Sequence, residues 1–166
     1  MPSKTVIDID GSEAVSKVLL DLLNRFPGLS DRQHILFATL SDASGIGFFP
    51  TTGAAMQSKV EDVTGHVKQA CLYPFSVIYR AAPKTDAQRM RIKEYLDTLG
   101  KWLEQQPVTL KGKVFHLNNY PALESGNRVI KSIDRTSSAY INAAYQDGIE
   151  DWIITARLNY ENEFDK

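Results

Sequence analysis

The chain of 166 residues is 43% hydrophobic and 23% charged, with a formal net charge of −1. Its size predicts a single domain, residues 1–166, that buries roughly 70% of its unfolded surface. The charge balance argues against a dedicated nucleic-acid binder, which would carry a basic excess. The lone cysteine, Cys71, excludes an internal disulfide and favours a reducing compartment. With neither a signal-peptide pattern nor a membrane-length apolar run, we expect a soluble cytosolic product with no membrane partner.

The first strong pattern is that of an amphipathic helix. After a short segment of strand-like composition, Thr5–Ile9, the residues Asp10 and Glu13 have the spacing of a capping box. Apolar residues then recur at intervals of three and four, and Pro27 with Gly28 predicts the end of the helix. The apolar stripe consists of Val15, Val18, Leu19, Leu22, Leu23 and Phe26.

Residues 33–65 combine a predicted strand with an irregular segment. Gln33–Leu40 is rich in apolar and β-branched residues, which predicts the strand. Ser41–Gly65 contains four glycines, one proline and no sustained period, so we predict a long loop or an irregular hairpin. Long loops in compact domains are uncommon and tend to be functional or flexible. We expect this one to carry an exposed apolar knot, formed by Ile46, Phe48 and Phe49.

The stretch Leu72–Pro107 predicts a buried strand that leads directly into the longest helix. Polar and apolar residues alternate around Phe75 and Val77, which is the period of a strand with one buried face. Thr85 and Gln88 have capping-box spacing, and Pro107 stops the helix. The apolar stripe of this helix comprises Ile92, Tyr95, Leu96, Leu99, Trp102 and Leu103.

The last third of the chain is rich in predicted strands. They are Val108–Leu110 and Val114–Leu117, which form a hairpin, then Arg128–Arg135, and finally Trp152–Tyr160. An irregular segment, Thr136–Tyr145, separates the last two strands, and we expect the acidic tail, residues 161–166, to fray or to dock on a neighbour. The element order favours an α+β fold, a two-layer sandwich with two amphipathic helices packed on a mixed, mainly antiparallel sheet.

The sequence contains no recognisable catalytic or metal-binding pattern. His34, His66 and His116 lie far apart, and none has metal-ligand spacing with another His, Cys or carboxylate. Cys71 adjoins a predicted buried strand, which favours a core residue over a nucleophile. The basic residues between Arg80 and Lys93 are typical of the solvated side of an amphipathic helix. We therefore expect a protein that is not an enzyme and binds no metal or cofactor.

Aromatic and aliphatic side chains instead favour protein–protein contact. Aromatic residues are the usual carriers of interface energy, and they are enriched towards the end of the chain. The alternative is that these side chains only cover a small sheet, and the sequence alone leaves both interpretations open. The candidate contact residues are Ile46, Phe48, Phe49, Tyr140, Tyr145 and Phe164.

Four segments carry a resemblance to a known family: GIGFFPTTGA, the long stretch from DVTGHV to LEQQPV, GNRVIKSIDRT, and AAYQDGIEDWIITARLNYENEFD. The chain resembles a family from the tail modules of phages and prophages of Gram-positive bacteria, whose members are often labelled minor capsid or tail proteins. We identify that family with the tail terminators, which cap the head-proximal end of a finished tail tube. The resemblance rests on overall pattern, because the family has no catalytic signature.

The resemblance implies a virion protein with the small lambda-like tail-terminator fold, assembled in the host cytoplasm into a hexameric ring at the head–tail interface. Its partners would be the tail-tube protein below and the head-completion protein above, with DNA passing through the lumen without specific binding. We expect Ser41–Gly65 and Thr136–Tyr145 to make the ring contacts and to order on assembly. Replacing Phe48 and Phe49 by serine would then leave a folded monomer that fails to cap tails.

Two alternatives stay open. The first is another ring of the same connector, either a head-completion protein or a tail-tube subunit, which the number of copies per particle distinguishes. The second is a cytosolic enzyme that binds a small molecule. A bound metal or cofactor, or a deep pocket lined by His34, His66 or His116, would favour that alternative.

Overall fold

The computed structural model describes residues 12–51, 55–123 and 127–166. In these ranges the helices are α1 (Ser12–Leu23) and α2 (Asp86–Leu103). The strands are β1 (Ile35–Phe37), β2 (Gly45–Pro50), β3 (Ala55–Glu61), β4 (His66–Ala81), β5 (Val108–Leu110), β6 (Lys113–Phe115), β7 (Asn127–Arg135), β8 (Tyr140–Ala144) and β9 (Glu150–Asp165). The Thr5–Ile9 segment and Asp10 lie outside the described residues, so the structure does not test their predicted roles.

Two long antiparallel strands form the centre of the main sheet. β4 and β9 each have 16 residues and pair along their whole length, from His66 opposite Asp165 to Ala81 opposite Glu150. Shorter strands flank this pair, two on each side. At one end, called the near end below, the order is β1-β2-β4-β9-β8, and at the far end it is β3-β4-β9-β7. β1 runs parallel to β2 while the other pairs are antiparallel, so the sheet is mixed.

One face of the sheet, called the helix face below, carries the core. Tyr73, Phe75 and Val77 alternate along β4 and are at most 1% exposed. They belong to the same buried cluster as the apolar stripes of both helices, so α1 and α2 pack on one face and the opposite face stays open. The predicted α+β class, with two helices and a mixed sheet, is confirmed for the described residues.

The start of α2 has the predicted cap with one change. The Gln88 backbone N–H donates to Thr85 Oγ1 at 3.2 Å, as the sequence spacing predicts. The Gln88 side chain accepts from the Lys84 N–H at 2.6 Å, however, instead of reaching back to Thr85. The helix ends at Leu103, one residue before the C-cap Glu104 and before Pro107.

The prediction of a long loop over Ser41–Gly65 is wrong, because the segment contains β2 and β3. Ile46 and Phe48 are 4% and 0% exposed and face the core, so the predicted exposed knot does not exist. Gly47 lies between them on the open face, where a Cβ would come within 2.8 Å of the Thr39 carbonyl oxygen. The backbone at Thr39 lies so close to this face of β2 that position 47 requires glycine. The glycines at positions 45 and 47 obscured the alternating period of the strand in the sequence.

Two further boundaries differ from the predictions. Residues 161–165 do not fray, since they extend β9: all five pair with β4, and residues 161–163 pair with β7 as well. Backbone pairing on both sides outweighs their acidic composition. The segment Thr136–Tyr145 contains β8 and is thus only partly irregular, whereas the strand predicted over Gln33–Leu40 is reduced to the three residues of β1.

Candidate functional site: two apolar sheet edges

The structure separates the six candidate contact residues. Ile46 and Phe48 are buried in the core, which removes the exposure on which their predicted role depended. Phe49 is half-buried on the open face, where its carbonyl oxygen accepts from Ser76 Oγ at 3.5 Å. Tyr140 and Tyr145 lie exposed at the near end, while Phe164 lies exposed at the far end, opposite Val67. Of the six residues, Tyr140 and Tyr145 are thus the two that lie exposed at the near end.

The edge strand β8 exposes apolar side chains on both sides of the sheet. Tyr140 is paired with Ile153 and projects on the open face, and Ile141 is paired with Trp152 and projects on the helix face. They are 45% and 43% exposed. The strand, with sequence YINAA, carries no charge and no proline, the residues that usually blunt an exposed edge. β8 is consequently an apolar edge open to a partner.

Beside β8, the helix face contains a shallow cleft of about 190 Å³ between α2 and β9. We call it the Trp152 cleft. The residues that line it are Asp86, Arg89, Met90, Lys93 and Trp152. Met90 is 69% exposed although it is apolar. Trp152 is fixed at the base because its Nε1 donates to Glu150 Oε1 at 3.1 Å, and the Arg89 guanidinium bonds the same carboxylate at 3.0 Å. The cleft is thus preformed.

On the opposite side of the near end, β1 also exposes apolar side chains but its backbone is closed. Leu36 and Phe37 are 48% and 46% exposed. The Asn24 side chain, just beyond α1, bonds the backbone of Ile35 twice: Nδ2 donates to the carbonyl at 3.0 Å, and Oδ1 accepts from the N–H at 2.8 Å. Asn24 therefore occupies the outer edge of β1 as a neighbouring strand would.

A charged network holds the hairpin turn between β8 and β9. The Arg80 guanidinium bonds both oxygens of Asp151, at 2.7 and 2.9 Å, across β4 and β9. The Tyr145 hydroxyl donates to the same carboxylate at 2.8 Å, and its ring lies under the guanidinium. The Arg80 guanidinium, with help from Tyr145, holds the pKa of Asp151 below its ordinary value. This network fixes the end of β8, so Tyr145 has a role within the monomer.

Another groove has a volume of about 450 Å³ and lies at the start of β1 and β2. Arg32, His34 and Arg80 contribute its basic groups. Arg80 is already bound to Asp151, and His34 is exposed. Gln33, Ser41 and Ser44 are among the other polar residues that line the groove. Among the described residues no group of three or more His, Cys, Asp or Glu side chains is placed to hold a metal ion. None of the described helices has the length and apolar composition needed to cross a bilayer.

The far end is held by exposed ion pairs. His66 lies between two acids of β9, with Nδ1 2.8 Å from Asp165 and Nε2 3.3 Å from Glu163. The Asp165 carboxylate is the main cause of a raised pKa for His66. Next along the strands, Lys68 and Lys131 approach Glu161 at 3.5 and 3.4 Å. His66 thus has a structural partner set and does not converge with the other histidines on a site.

Sequence reasoning missed Leu36, Phe37, Met90 and Ile141. For Met90 a signal was present, because it stands between basic residues on the polar side of the α2 stripe. Leu36 and Phe37 belong to a continuous apolar run, and such a run does not indicate which of its side chains will be exposed. Ile141 lies in Thr136–Tyr145, a segment without the regular alternation that predicts a strand.

Comparisons with known proteins give little further guidance. No protein-family profile matches the sequence, and no curated protein matches it. Among solved structures, the chain is similar to a chain of the virion of a native gene transfer agent particle. The two are 9% identical with a TM-score of 0.41, over 96% of this chain and 100% of that chain. This similarity is too distant to carry an argument about the fold or the function.

Proposed function

We propose that the protein is a structural component of a phage-type virion that acts as a ring of copies and performs no catalysis. The observation that supports this proposal is the pair of apolar edges at the near end. One edge is β1 with Leu36 and Phe37, and the other is β8 with Tyr140 and Ile141. The sequence resemblance to the tail-terminator family supports the same proposal independently.

The placement of the two edges suits a closed ring. Four strand spacings of about 4.8 Å separate β1 from β8, so the edges lie about 19 Å apart on opposite sides of one subunit. A contact that joins one patch to a different patch on the next copy is heterologous, and it closes into a ring when the rotation divides a full turn. The net charge of −1 opposes such self-association only weakly.

More specifically, the ring caps the head-proximal end of the tail tube and joins it to the head-completion complex. The proposed partners are five further copies in a hexamer, the tail-tube protein and the head-completion protein. DNA passes through the lumen, and with nineteen basic against twenty acidic residues the chain has no basic excess to hold its phosphates. The proposed location is the head–tail interface of the virion.

Charged substitutions at the two edges test the ring. Ile141→Lys on β8 and Leu36→Lys on β1 place a charge in the proposed contact while leaving the core intact. We expect each variant to be a folded monomer that fails to join heads to tails when it replaces the native protein in the phage. Val114→Lys is the control, since Val114 is 69% exposed on the separate β5–β6 hairpin. Normal particles from both edge variants would contradict the proposal.

Counting copies separates the terminator from the alternatives. A terminator or a head-completion protein occurs as one ring per particle, and a tail-tube subunit occurs in many stacked rings. We expect quantitative mass spectrometry of purified virions to give one ring of copies, and labelled antibody in negative-stain images to mark the head–tail junction. Label along the whole tail would favour the tube subunit instead.

A further inference from the structure

We infer that Phe37 of one copy inserts into the Trp152 cleft of the next copy, and that this insertion is the principal contact between neighbours. The inference rests on the ring proposed above and names the side chain and the pocket that join two subunits. The occupant of the cleft is therefore a second copy of this chain.

Both halves of the contact lie on the same face of the sheet. Phe37 is paired with Phe48, which is paired with the buried Val77, and the Phe37 and Phe48 rings are 5.5 Å apart. This register places Phe37 on the helix face. Trp152 is paired with Tyr79, two residues from Val77, and therefore projects on that face as well. In a ring that brings β1 of one copy beside β8 of the next, the knob and the cleft therefore lie on the same side of the contact.

The closed backbone of β1 explains why a side chain makes the contact. Asn24 satisfies both the N–H and the carbonyl of Ile35, so a strand of another copy cannot pair there without displacing it. The side chain of Phe37 has no such restriction and is 46% exposed. Extension of the sheet from copy to copy is thus disfavoured, while insertion of the ring is not.

The cleft has room for a phenyl ring, and its two apolar lining residues are Met90 and Trp152, beside the charged Asp86, Arg89 and Lys93. Its volume is about 190 Å³, and an apolar cavity of about 150 Å³ accommodates benzene. Met90 lies exposed on the α2 side, and Ile141 on β8 is paired with Trp152 at the base. A thioether and an indole are favourable surroundings for an aromatic ring. Burial on assembly would also explain the exposure of Met90.

The register implies a stagger between neighbours. Ile35, Ile46, Tyr79, Trp152 and Ile141 form one row across the near end. Phe37 lies two residues further along β1, which corresponds to about 7 Å along the strand. Adjacent copies are therefore displaced by about this distance along the strand direction, as happens when tilted strands close around an axis.

Cysteine cross-linking tests the contact directly. Phe37→Cys and Met90→Cys in one chain place a thiol in the knob and in the rim of the cleft, and the native Cys71 is buried. Oxidation of assembled rings should give a ladder of disulfide-linked oligomers that ends at the closed ring. A second chain with Phe37→Cys and Val114→Cys is the control and should stay monomeric on a non-reducing gel.

The possible outcomes distinguish this inference from the ring itself. Rings that form in negative-stain images but show no ladder overturn the Phe37 contact and leave the proposed function intact. Absence of rings from the native protein, on tails as well as in solution, overturns both. If the cysteine variants alone fail to assemble, Phe37→benzoylphenylalanine keeps an aromatic knob, and after illumination its cross-link should map to Met90 by mass spectrometry. A map to any residue outside the Trp152 cleft contradicts the inference.

Discussion

The two ends of the sheet are built from different interactions although the same two strands run through both. At the near end the stabilising contacts are buried: Phe48 in the core and the Arg80–Asp151 pair, whose side chains are 19% and 6% exposed. At the far end, buried side chains such as Val67 and Tyr160 are accompanied by exposed pairs that His66 and Lys68 make with the acids of β9. Exposed pairs contribute little and are screened by salt. The difference implies that salt should affect the contacts of the far end more than those of the near end, where the proposed assembly surface lies.

The largest expected effect is on the near-end core. Phe48→Ala removes a fully buried ring that packs at 5.5 Å against Phe37 and Phe75. We expect the free energy of unfolding in urea to fall by about 3–5 kcal/mol. Phe49→Ala on the open face is the matched control and should cost less, since that ring is only half-buried. Equal losses from the two variants would contradict the assignment of their faces.

The burial of Phe48 also changes the outcome that we expect when Phe48 is replaced by serine. A polar hydroxyl at Phe48 would lie in the core, so Phe48→Ser should unfold the monomer instead of impairing only its assembly. Circular dichroism of the purified variant checks this outcome.

The next effect concerns the Arg80–Asp151 pair. Asp151→Asn removes the charge that binds the guanidinium and should lower the free energy of unfolding by about 3 kcal/mol at neutral pH. Since the pKa of Asp151 is lowered in the folded state, its contribution is present above the ordinary value of 3.8 and is lost as the pH falls through the folded value. The stability difference between native protein and variant should therefore be constant near neutrality and shrink in acid. A difference that grows in acid would refute this account.

A smaller effect is expected at the β1 edge. Asn24→Ala leaves the N–H and carbonyl of the buried Ile35 without their side-chain partner, which should cost about 1–3 kcal/mol. Asn24→Asp keeps the acceptor for the N–H but loses the donor to the carbonyl, so its cost should be intermediate. Amide exchange at Ile35 should accelerate most in the alanine variant. Unchanged exchange there would show that Asn24 does not close the edge.

The smallest effect belongs to the far end. His66 should titrate by NMR above its ordinary pKa of 6.5, and Asp165→Asn should bring that pKa down more than Glu163→Gln does. Because the folded pKa is raised, the contribution of His66 to stability is present below the unfolded pKa and disappears as the pH rises through the folded one. High salt should weaken the effect. A pKa that is unchanged in the Asp165 variant would exclude the ion pair as its cause.

Most of the helices and central strands followed from residue periodicity. The α2 stripe, its Thr85 cap and the alternation around Phe75 all gave the correct element, because a helix or strand with one buried face repeats its apolar positions regularly. The β2 strand was missed since Gly45 and Gly47 occupy its open-face positions and interrupt the alternating pattern. The backbone at Thr39, which requires glycine at position 47, can be seen only in the structure. The length of β9 was missed because partners on both sides, which determine it, are distant in sequence.

The proposed assembly surface was harder to predict than the fold. Tyr140 and Tyr145 were selected for aromatic character, and they lie exposed at the near end. Phe37 was not, because exposure at a sheet edge depends on which strand is outermost. That order is set by pairing across the whole sheet and leaves no local pattern in the sequence. Met90 was also not selected, although its position between basic residues on the polar side of α2 was a signal.

The continuous pairing of β4 with β9 has a consequence for synthesis. It joins residues 66–81 to residues 150–165, so the centre of the sheet cannot form until translation has passed residue 165. Until then the edge of β4 that pairs with β9 has no partner strand. Contacts between residues so distant in sequence also form slowly. A chaperone that binds the nascent β4 would therefore favour high-level synthesis of this protein. A translational stall before residue 150 should leave β4 unpaired and the chain open to proteases.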